Sequence, residues 1–387
     1  MTDYNVITQT EEQKEAGAFV HAQGMATVDG FGRVSQRWFN QTIDYDAALA
    51  RMMSQQKERH DIVTDLRGVT FSPTDNGVKV CIEGNCFDGT RWAMSQLCGA
   101  NALDVGTTCL NQLATDVGDF ETLVHVMNNG KRKIQGELLR RFRTYTDGTL
   151  RAVVSDSYSP VENSWMIDTI RSVVPNGRVS HFDKSDADNL VLNVLIPDAM
   201  FPHNGSDYGG GASLQNSEIG RYCVESCPFA FSTICMNGNV WGREDGIAYR
   251  QRHRGIMNLT ELRKELSDCI TKQLALVAVH NQTLIESREW KVTTGINRLF
   301  ASIVKEHTLG KSMFAEFKSD WTNFSQEENA FGVVDAITRT AQRFGQDEMV
   351  ALNSIGGELI HAGRTNWDRM NAKAGSMTDK EFAKFAS

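Results

Sequence analysis

The chain has 387 residues, two to three times the usual ~150 per domain, so we expect two or three domains or one core with a helical appendage. Its 41% hydrophobic and 23% charged residues are typical of a globular protein and exclude a disordered or fibrous one. The net charge of −8 excludes a globally basic nucleic-acid binder but permits a local basic patch. No apolar run approaches the ~18 residues of a membrane span, and residues 1–17 lack the features of a secretory signal. We therefore expect a cytoplasmic protein without a membrane partner.

The eight cysteines are too sparse for a disulfide framework, so in a reducing compartment we expect free or metal-bound thiols. A zinc set would draw on Cys223, Cys227, Cys235 and either His203 or His253. The spacing Cys-x3-Cys-x7-Cys lacks the paired short spacings of structural zinc sites, and buried small apolar side chains explain it equally well. We predict no metal and no cofactor.

Hydrophobic periodicity predicts alternating helices and hairpins in the first half of the chain. Thr90 is suited to cap a helix, and Asp147-Gly148 is a strong hairpin signal. The predicted elements are a helix at 44–59, a hairpin at 68–82, a helix at 89–103, a helix at 120–141 kinked near 128–130, a hairpin at 141–154, a helix ending at 174 and a strand pair at 178–182 and 189–196.

The stretch 201–216 is rich in glycine and predicts a long mobile loop. Its glycines are Gly205, Gly209, Gly210 and Gly211. A phosphate cradle is disfavoured there because no strand directly precedes these glycines and no Lys follows. Strand-like segments at 219–225, 229–235 and 246–253 come next. From residue 259 the pattern is helical, with predicted helices at 259–286, 290–307, 313–324, 326–344 and 348–361.

Short Gly, Asn and Asp turns between strand runs favour antiparallel pairing. The predicted fold is therefore α+β, with an antiparallel hairpin-rich sheet core crossed by helices and an all-helical C-terminal region. The expected parts are an N-terminal helical segment at 1–60, the α+β core at 61–256 and the helical region at 257–387, which could share one core with the sheets. Aromatic residues at helical spacing in the last region indicate a bundle core or a subunit interface, and we expect a homo-oligomer through these helices.

Three segments carry a resemblance to a known family. They are Phe142-Arg-Thr-Tyr-Thr-Asp-Gly148 with its continuation to Asn163, Gly220-Arg-Tyr-Cys-Val-Glu-Ser-Cys-Pro-Phe229, and Ile234-Cys-Met-Asn-Gly238 followed by Arg252-His-Arg-Gly255. Together they resemble the phage- and plasmid-related proteins grouped as domain-of-unknown-function family 932, over roughly residues 65 to 300. The resemblance implies a mobile element in a bacterial or phage-infected cytoplasm, with DNA replication, recombination or host defence as its processes. It implies no activity.

A first basic segment lies between residues 131 and 151, with a net charge of +5. Strand geometry places Arg141, Arg143 and Tyr145 on one face, with Arg151 beside them across the hairpin, and Arg140 belongs to the same segment. A cationic strand face with an aromatic ring suits a single nucleic-acid strand, because guanidinium groups meet phosphates while a base stacks. The alternative is a solvated face whose charges protect a sheet edge.

A second basic segment follows Trp241 and Tyr249. In strand geometry Arg250, Arg252 and Arg254 share one face and His253 lies on the other. Three arginines in five residues repel one another unless they meet a polyanion or an acidic partner. The acidic segment 183–218, with net charge −5, is the intramolecular alternative. We expect neighbouring arginines to lower the pKa of His253 and keep its ring neutral.

Signatures of nucleotide-binding loops, nucleophile elbows and zinc proteases are absent from the sequence. The leading hypothesis is a non-catalytic protein that binds single-stranded nucleic acid, with strand annealing, recombination or genome maintenance as the expected process. Its candidate contacts are Arg140, Arg141, Arg143, Tyr145, Arg151, Arg250, Arg252, His253 and Arg254. The alternative is an enzyme or counter-defence protein that holds a small anionic ligand, such as a nucleotide, between Arg250, Arg252, Arg254 and the glycine-rich stretch.

Overall fold

The structure is a computed structural model that describes most of the chain beyond residue 41. The described residues are 25–28, 32–35, 42–180, 185–196, 201–203, 206–232, 238–240, 248–324, 327–361 and 363–386. Cys235, Trp241 and Asp183 lie outside them. Strands Met25–Val28 (β1) and Gly32–Ser35 (β2) form an antiparallel hairpin. The described part of the N-terminal segment therefore contains a hairpin as well as the expected helix, which is Tyr45–Gln55 (α1).

Six described strands form the first sheet, called here the N-terminal sheet. They are Arg59–Asp65 (β3), Thr70–Thr74 (β4), Gly77–Ile82 (β5), Asn85–Gly89 (β6), Leu139–Tyr145 (β7) and Thr149–Ser155 (β8), in the order β3-β7-β8-β6-β5-β4. All neighbours are antiparallel except β6 and β8. Both predicted hairpins are confirmed. The turn between β7 and β8 is stabilised by the Thr149 N–H, which donates to Asp147 Oδ1 at 3.0 Å, and Gly148 has φ +89°.

Three helices cover the apolar face of this sheet: Arg91–Cys98 (α2), Thr107–Leu110 (α3), which continues as a π-helix over Asn111–Val117, and Phe120–Arg132 (α4). The predicted cap is confirmed, because Thr90 Oγ1 accepts from the Ala93 N–H at 3.2 Å. The prediction of a kinked helix over 120–141 is wrong, because the observed helix is shorter. Helix α4 runs unbroken through Gly130 and ends at Arg132, since its apolar residues Leu123 and Met127 are in the core there and β7 begins at Leu139.

Seven described strands form the second sheet, called here the central sheet. They are Arg178–Ser180 (β9), Asn189–Leu195 (β10), Phe201–His203 (β11), Ser206–Ser217 (β12), Val224–Ser232 (β13), Gly238–Val240 (β14) and Tyr249–Gln251 (β15). The order is β14-β13-β12-β10-β9, with β11 paired to β12 and β15 paired to β13, all antiparallel. The predicted pairing of 178–182 with 189–196 is confirmed in its described part. The separate strands expected at 219–225 and 229–235 are instead a turn followed by β13.

The glycine-rich stretch is the largest error in the predicted elements. Its described residues from Ser206 onward form β12, a 12-residue strand between β10 and β13, rather than a mobile loop. A Cβ atom on Gly211 would lie 1.8 Å from the Val194 carbonyl oxygen, and one on Gly210 would lie 2.4 Å from that of Phe229. The glycines therefore allow neighbouring strands to approach closely in a crowded sheet.

The C-terminal region is helical, as predicted, and the whole fold is α+β. Its helices are Leu259–Ala275 (α6), Val277–Glu286 (α7), Ile296–Glu306 (α8), Lys311–Phe324 (α9), Ala330–Ala341 (α10), Gln346–His361 (α11), Gly363–Gly375 (α12) and Asp379–Ala386 (α13), and the earlier helix Asn163–Val173 is α5. Leu266 of α6 packs in one core with Leu192 and Leu214 of the central sheet, together with α1 and α5. The helical region after residue 256 and the central sheet therefore share this core, which is the alternative left open for that boundary.

The aromatic residues of the C-terminal region mostly fill its core. Phe300, Phe317 and Phe331 are buried in a cluster that also contains Tyr208 and Ala230 of the central sheet. Phe324 is exposed. The core interpretation therefore accounts for most of these side chains, and the homo-oligomer stays a prediction.

One pair of cysteines departs from the expectation of free thiols. Cys81 in β5 and Cys86 in β6 form a disulfide, because the two residues lie directly opposite each other in the antiparallel register with their Cα atoms 4.0 Å apart. Cys98, Cys109 and Cys223 are free thiols. In the described part of the chain, no helix is both long and apolar enough to cross a bilayer.

Candidate anion-binding cleft

A cleft of about 950 Å³ opens where the N-terminal sheet, the central sheet and α11 meet. Five arginines line it: Arg140, Arg221, Arg250, Arg252 and Arg254. The structure thus brings Arg140 of the first basic segment together with all three arginines of the second. Glu225 and Asp347 are acidic residues in the same lining.

Arg140 enters the cleft from the start of β7. Its guanidinium donates to the backbone carbonyl oxygens of Asn101 and, at 2.8 Å, Leu139. Burial lowers the pKa of Arg140, while the charge of Asp156 opposes that effect. These contacts orient the guanidinium by neutral acceptors, so its positive charge remains available to an anion in the cleft.

Arg250, Arg252 and Arg254 reach the cleft from β15 and the turn after it. Arg250 lies opposite Glu225 in the strand register, with Nε 4.0 Å from Oε2, and its side chain is 68% exposed. Arg252 and Arg254 are exposed, and no ion pair joins either to a carboxylate within the described residues. Asp188 and Glu218 of segment 183–218 pair with arginines of the N-terminal sheet instead of these three, so the intramolecular alternative does not hold for these two carboxylates.

His253 lines the same cleft rather than the opposite face, since strand β15 ends at Gln251 and the chain then turns. Its ring is 8% exposed, stacks on Tyr158 with centroids 5.1 Å apart, and its Nδ1–H donates to the Ser159 carbonyl oxygen at 3.1 Å. Burial and, to a smaller extent, the charge of Arg143 lower the pKa of His253 to about 4, against hydrogen bonds to the backbone that raise it. This agrees with the expected neutral ring, but the contributing cation is Arg143 rather than the adjoining Arg252 and Arg254.

The remaining candidates of the first basic segment are buried, apart from Arg141, whose side chain is 25% exposed. Arg143, Tyr145 and Arg151 are buried between the two sheets, so the expected exposed cationic face is wrong for them. Arg143 Nε donates to Asp61 Oδ1 at 3.0 Å, and Arg141 Nη1 lies 3.5 Å from Asp61 Oδ2. These four side chains are therefore part of the scaffold and lie outside the cleft lining.

A buried ionic cluster joins the sheets at this contact. Arg151, only 1% exposed, pairs with Asp188 and with Glu218, whose Oε2 lies 3.0 Å from Nη2. Glu218 is fully buried, also pairs with Arg59, and its pKa is raised by burial against the opposing charges of Arg59 and Arg151. Tyr145 donates to Asp188 Oδ1 at 2.7 Å. The acidic segment thus neutralises arginines of the N-terminal sheet.

Sequence reasoning missed Arg221, which the turn between β12 and β13 presents to the cleft. The Ile219 carbonyl oxygen accepts from Trp92 Nε1 at 3.0 Å and from Gln96 Nε2 at 2.9 Å, so α2 fixes the turn. Gly220 has φ +75°, a conformation that favours glycine. The sequence predicts a strand over 219–225, and the only local signal for a turn that presents a cation is Gly220 directly before Arg221 and Tyr222.

Asp347, in the first turn of α11, contacts this turn from across the cleft. Arg221 Nη2 and the Tyr222 hydroxyl both donate to its carboxylate. Partial burial raises the pKa of Asp347, but the two hydrogen bonds outweigh that effect and hold it below its ordinary value. The carboxylate is therefore ionised at neutral pH.

Within the described ranges, no group of three or more His, Cys, Asp or Glu side chains is placed to hold a metal ion. Cys223 lines the cleft and Cys227 is buried. Comparison with known proteins found no matching family model, no similar curated protein and no similar solved structure.

Proposed function

We propose that the protein binds single-stranded nucleic acid through phosphate contacts in the cleft. The observation that carries this proposal is the convergence of five arginines, from three separate stretches of the chain, on one concave surface. Arginine's planar guanidinium matches phosphate oxygens in a bidentate geometry. In a chain of net charge −8, such a concentration of cations is best explained by an anionic ligand.

The proposed contact set differs from the one expected from sequence. Arg140, Arg250, Arg252 and Arg254 remain in it, and Arg221 joins them. Arg141, Arg143, Tyr145 and Arg151 leave it, because buried or ion-paired side chains cannot reach a phosphate without opening the contact between the sheets. Tyr222, half-buried in the lining, replaces Tyr145 as the ring on which a base stacks. The setting in a mobile element, with strand annealing or genome maintenance as the process, comes from the family resemblance alone.

The test is fluorescence anisotropy with a labelled single-stranded oligonucleotide at several salt concentrations. We expect the double variant R252Q/R254Q to lose about 10-fold or more in affinity, because each exposed arginine that meets a phosphate releases counterions. It should also reduce the salt slope by about 1.4, at about 0.7 per contact. The matched control is R364Q/R369Q, which removes two exposed arginines from α12, away from the cleft. Equal affinities for the two double variants, or no binding by the wild type at ~50 mM salt, would reject the proposal.

A small phosphorylated ligand, such as a nucleotide, is the second candidate. The cleft volume of about 950 Å³ favours it, since ligand pockets span about 300–1,000 Å³. The glycines of β12 are not part of the cleft lining, so this candidate now rests on the arginines. Salt separates the two candidates, because a small ligand makes fewer phosphate contacts and its affinity falls less steeply with salt than that of a polynucleotide.

A further inference from the structure

We infer that Arg221 and Tyr222 form a phosphate subsite of the cleft, and that the chain's own Asp347 occupies this subsite as a competing anion. The inference rests on the proposed function and deepens it, because it names the group that a ligand must displace. A ligand phosphate and the Asp347 carboxylate would use the same two donors and exclude each other.

The first support is the fixed position of the Arg221 guanidinium. Its Cζ lies 5.6 Å from the centroid of Trp92 and 5.5 Å from that of Tyr222, so the cation is held against two rings. The Arg221 N–H donates to Ser217 Oγ at 3.0 Å, which holds the backbone of the turn. A guanidinium fixed in this way loses little conformational freedom when an oxyanion binds.

The second support is the nature of the group now in contact with these donors. Asp347 comes from α11, a different element, and its side chain is 51% exposed. Ion pairs at such exposed positions contribute little to stability, so the carboxylate is readily exchanged. A phosphodiester of a nucleic-acid strand carries one negative charge and two free acceptor oxygens, as the carboxylate does, and a phosphate monoester carries about −1.5 to −2 charge and three acceptor oxygens.

The third support is the position of the subsite among the other arginines. Arg221, Tyr222 and Asp347 line the same cleft as Arg250 and Arg252. A phosphate bound at Arg221 therefore lies in the field of several cations, which favours binding of an anion there and favours a multiply charged monoester or pyrophosphate most. The alternative is that Asp347 only anchors the start of α11 to the central sheet, and this makes no prediction for ligand affinity.

The experiment compares D347N with E348Q. Both variants remove one negative charge from the first turn of α11, but Glu348 is absent from the cleft lining. The probes, titrated separately, are the labelled single-stranded oligonucleotide and inorganic pyrophosphate. We expect D347N to bind each probe about fivefold more tightly than E348Q. This factor corresponds to the free energy of the one exposed ion pair that a ligand no longer has to break in D347N. In a double-mutant cycle, R221Q should weaken binding and R221Q/D347N should behave as R221Q, because the carboxylate then has no cation to withhold.

Equal affinities of D347N and E348Q for both probes would overturn the subsite while leaving the proposed function intact. A fivefold difference with pyrophosphate but no oligonucleotide binding would support the subsite and reject nucleic-acid binding. No binding of either probe by any variant would reject both. Melting curves of the four variants exclude loss of folding as the cause, and D347E, which restores the carboxylate, should return the affinity toward that of the wild type.

Discussion

At the scale of single residues, His253 shows how burial determines the chemistry of the cleft. Its neighbours in sequence, Arg252 and Arg254, are exposed, whereas its own ring is packed against Tyr158 and bonded to a backbone carbonyl. The sequence predicts a neutral ring from the adjoining arginines, whereas the pKa of the ring is lowered chiefly by burial and by the charge of Arg143. The position of His253 in the same cleft as the arginines could not be predicted, because it depends on where strand β15 ends. The end of β15 is determined by its pairing with β13, not by local propensity.

The pKa of His253 gives a pH dependence of stability. The folded-state pKa is about 4 and the ordinary value is 6.5, so between these values the unfolded chain binds a proton that the folded chain does not. The free energy of unfolding should therefore fall as the pH is lowered through this window, by about 3 kcal/mol in total. Urea unfolding at pH 7 and pH 4 measures this loss.

The variants H253N and H125N isolate the contribution of this ring. Asn at position 253 keeps a donor for the Ser159 carbonyl oxygen but does not titrate, so its loss of stability on acidification should be smaller than that of the wild type by about 3 kcal/mol. His125 is exposed on α4, and H125N should follow the wild type. Parallel pH profiles for H253N and the wild type would contradict the assignment.

At the scale of elements, the amphipathic segments and the hairpins could be predicted, whereas β12 could not. Alternating Val78, Val80 and Ile82 identify β5, and Asp147-Gly148 identifies the turn of β7 and β8, because both signals are local. Gly209-Gly210-Gly211 resembles a flexible loop when read locally. Only the approach of β10 and β13 shows why glycine is needed, and that contact joins residues far apart in sequence.

The variant G211A tests this role of β12. A Cβ 1.8 Å from the Val194 carbonyl oxygen forces backbone to move, so we expect a loss of about 3 kcal/mol or more. The matched control is G68A, because a Cβ on Gly68 meets nothing within 4 Å, and this change should be close to neutral. Urea unfolding, or the soluble yield if G211A does not fold, compares the two. Equal stability of both variants would show that β12 does not require glycine there.

At the scale of the whole molecule, the candidate site forms where the N-terminal sheet, the central sheet and α11 come together. The basic segments near 140 and 250 are visible in the sequence, but which arginines are exposed is decided by packing of the two sheets. Arg151 looks no different in sequence from Arg140. It is nevertheless buried with Glu218 and Asp188, while Arg140 opens into the cleft. Charge patterning therefore predicts that an anion site exists and cannot say which cations belong to it.

This division of the arginines predicts that substitutions of buried and exposed arginines change the free energy of unfolding by very different amounts. R151M should cost about 3–5 kcal/mol of unfolding free energy, because it leaves the buried carboxylate of Glu218 with one cation fewer and Asp188 without its guanidinium partner. R250M should change stability by less than about 0.5 kcal/mol, since its side chain is largely exposed. The double variant R151M/E218Q should recover part of the loss, as it removes the unpaired charge together with its partner. Urea unfolding of the three variants and the wild type measures these differences, and similar losses for R151M and R250M would mean that the sheets do not depend on this ionic cluster.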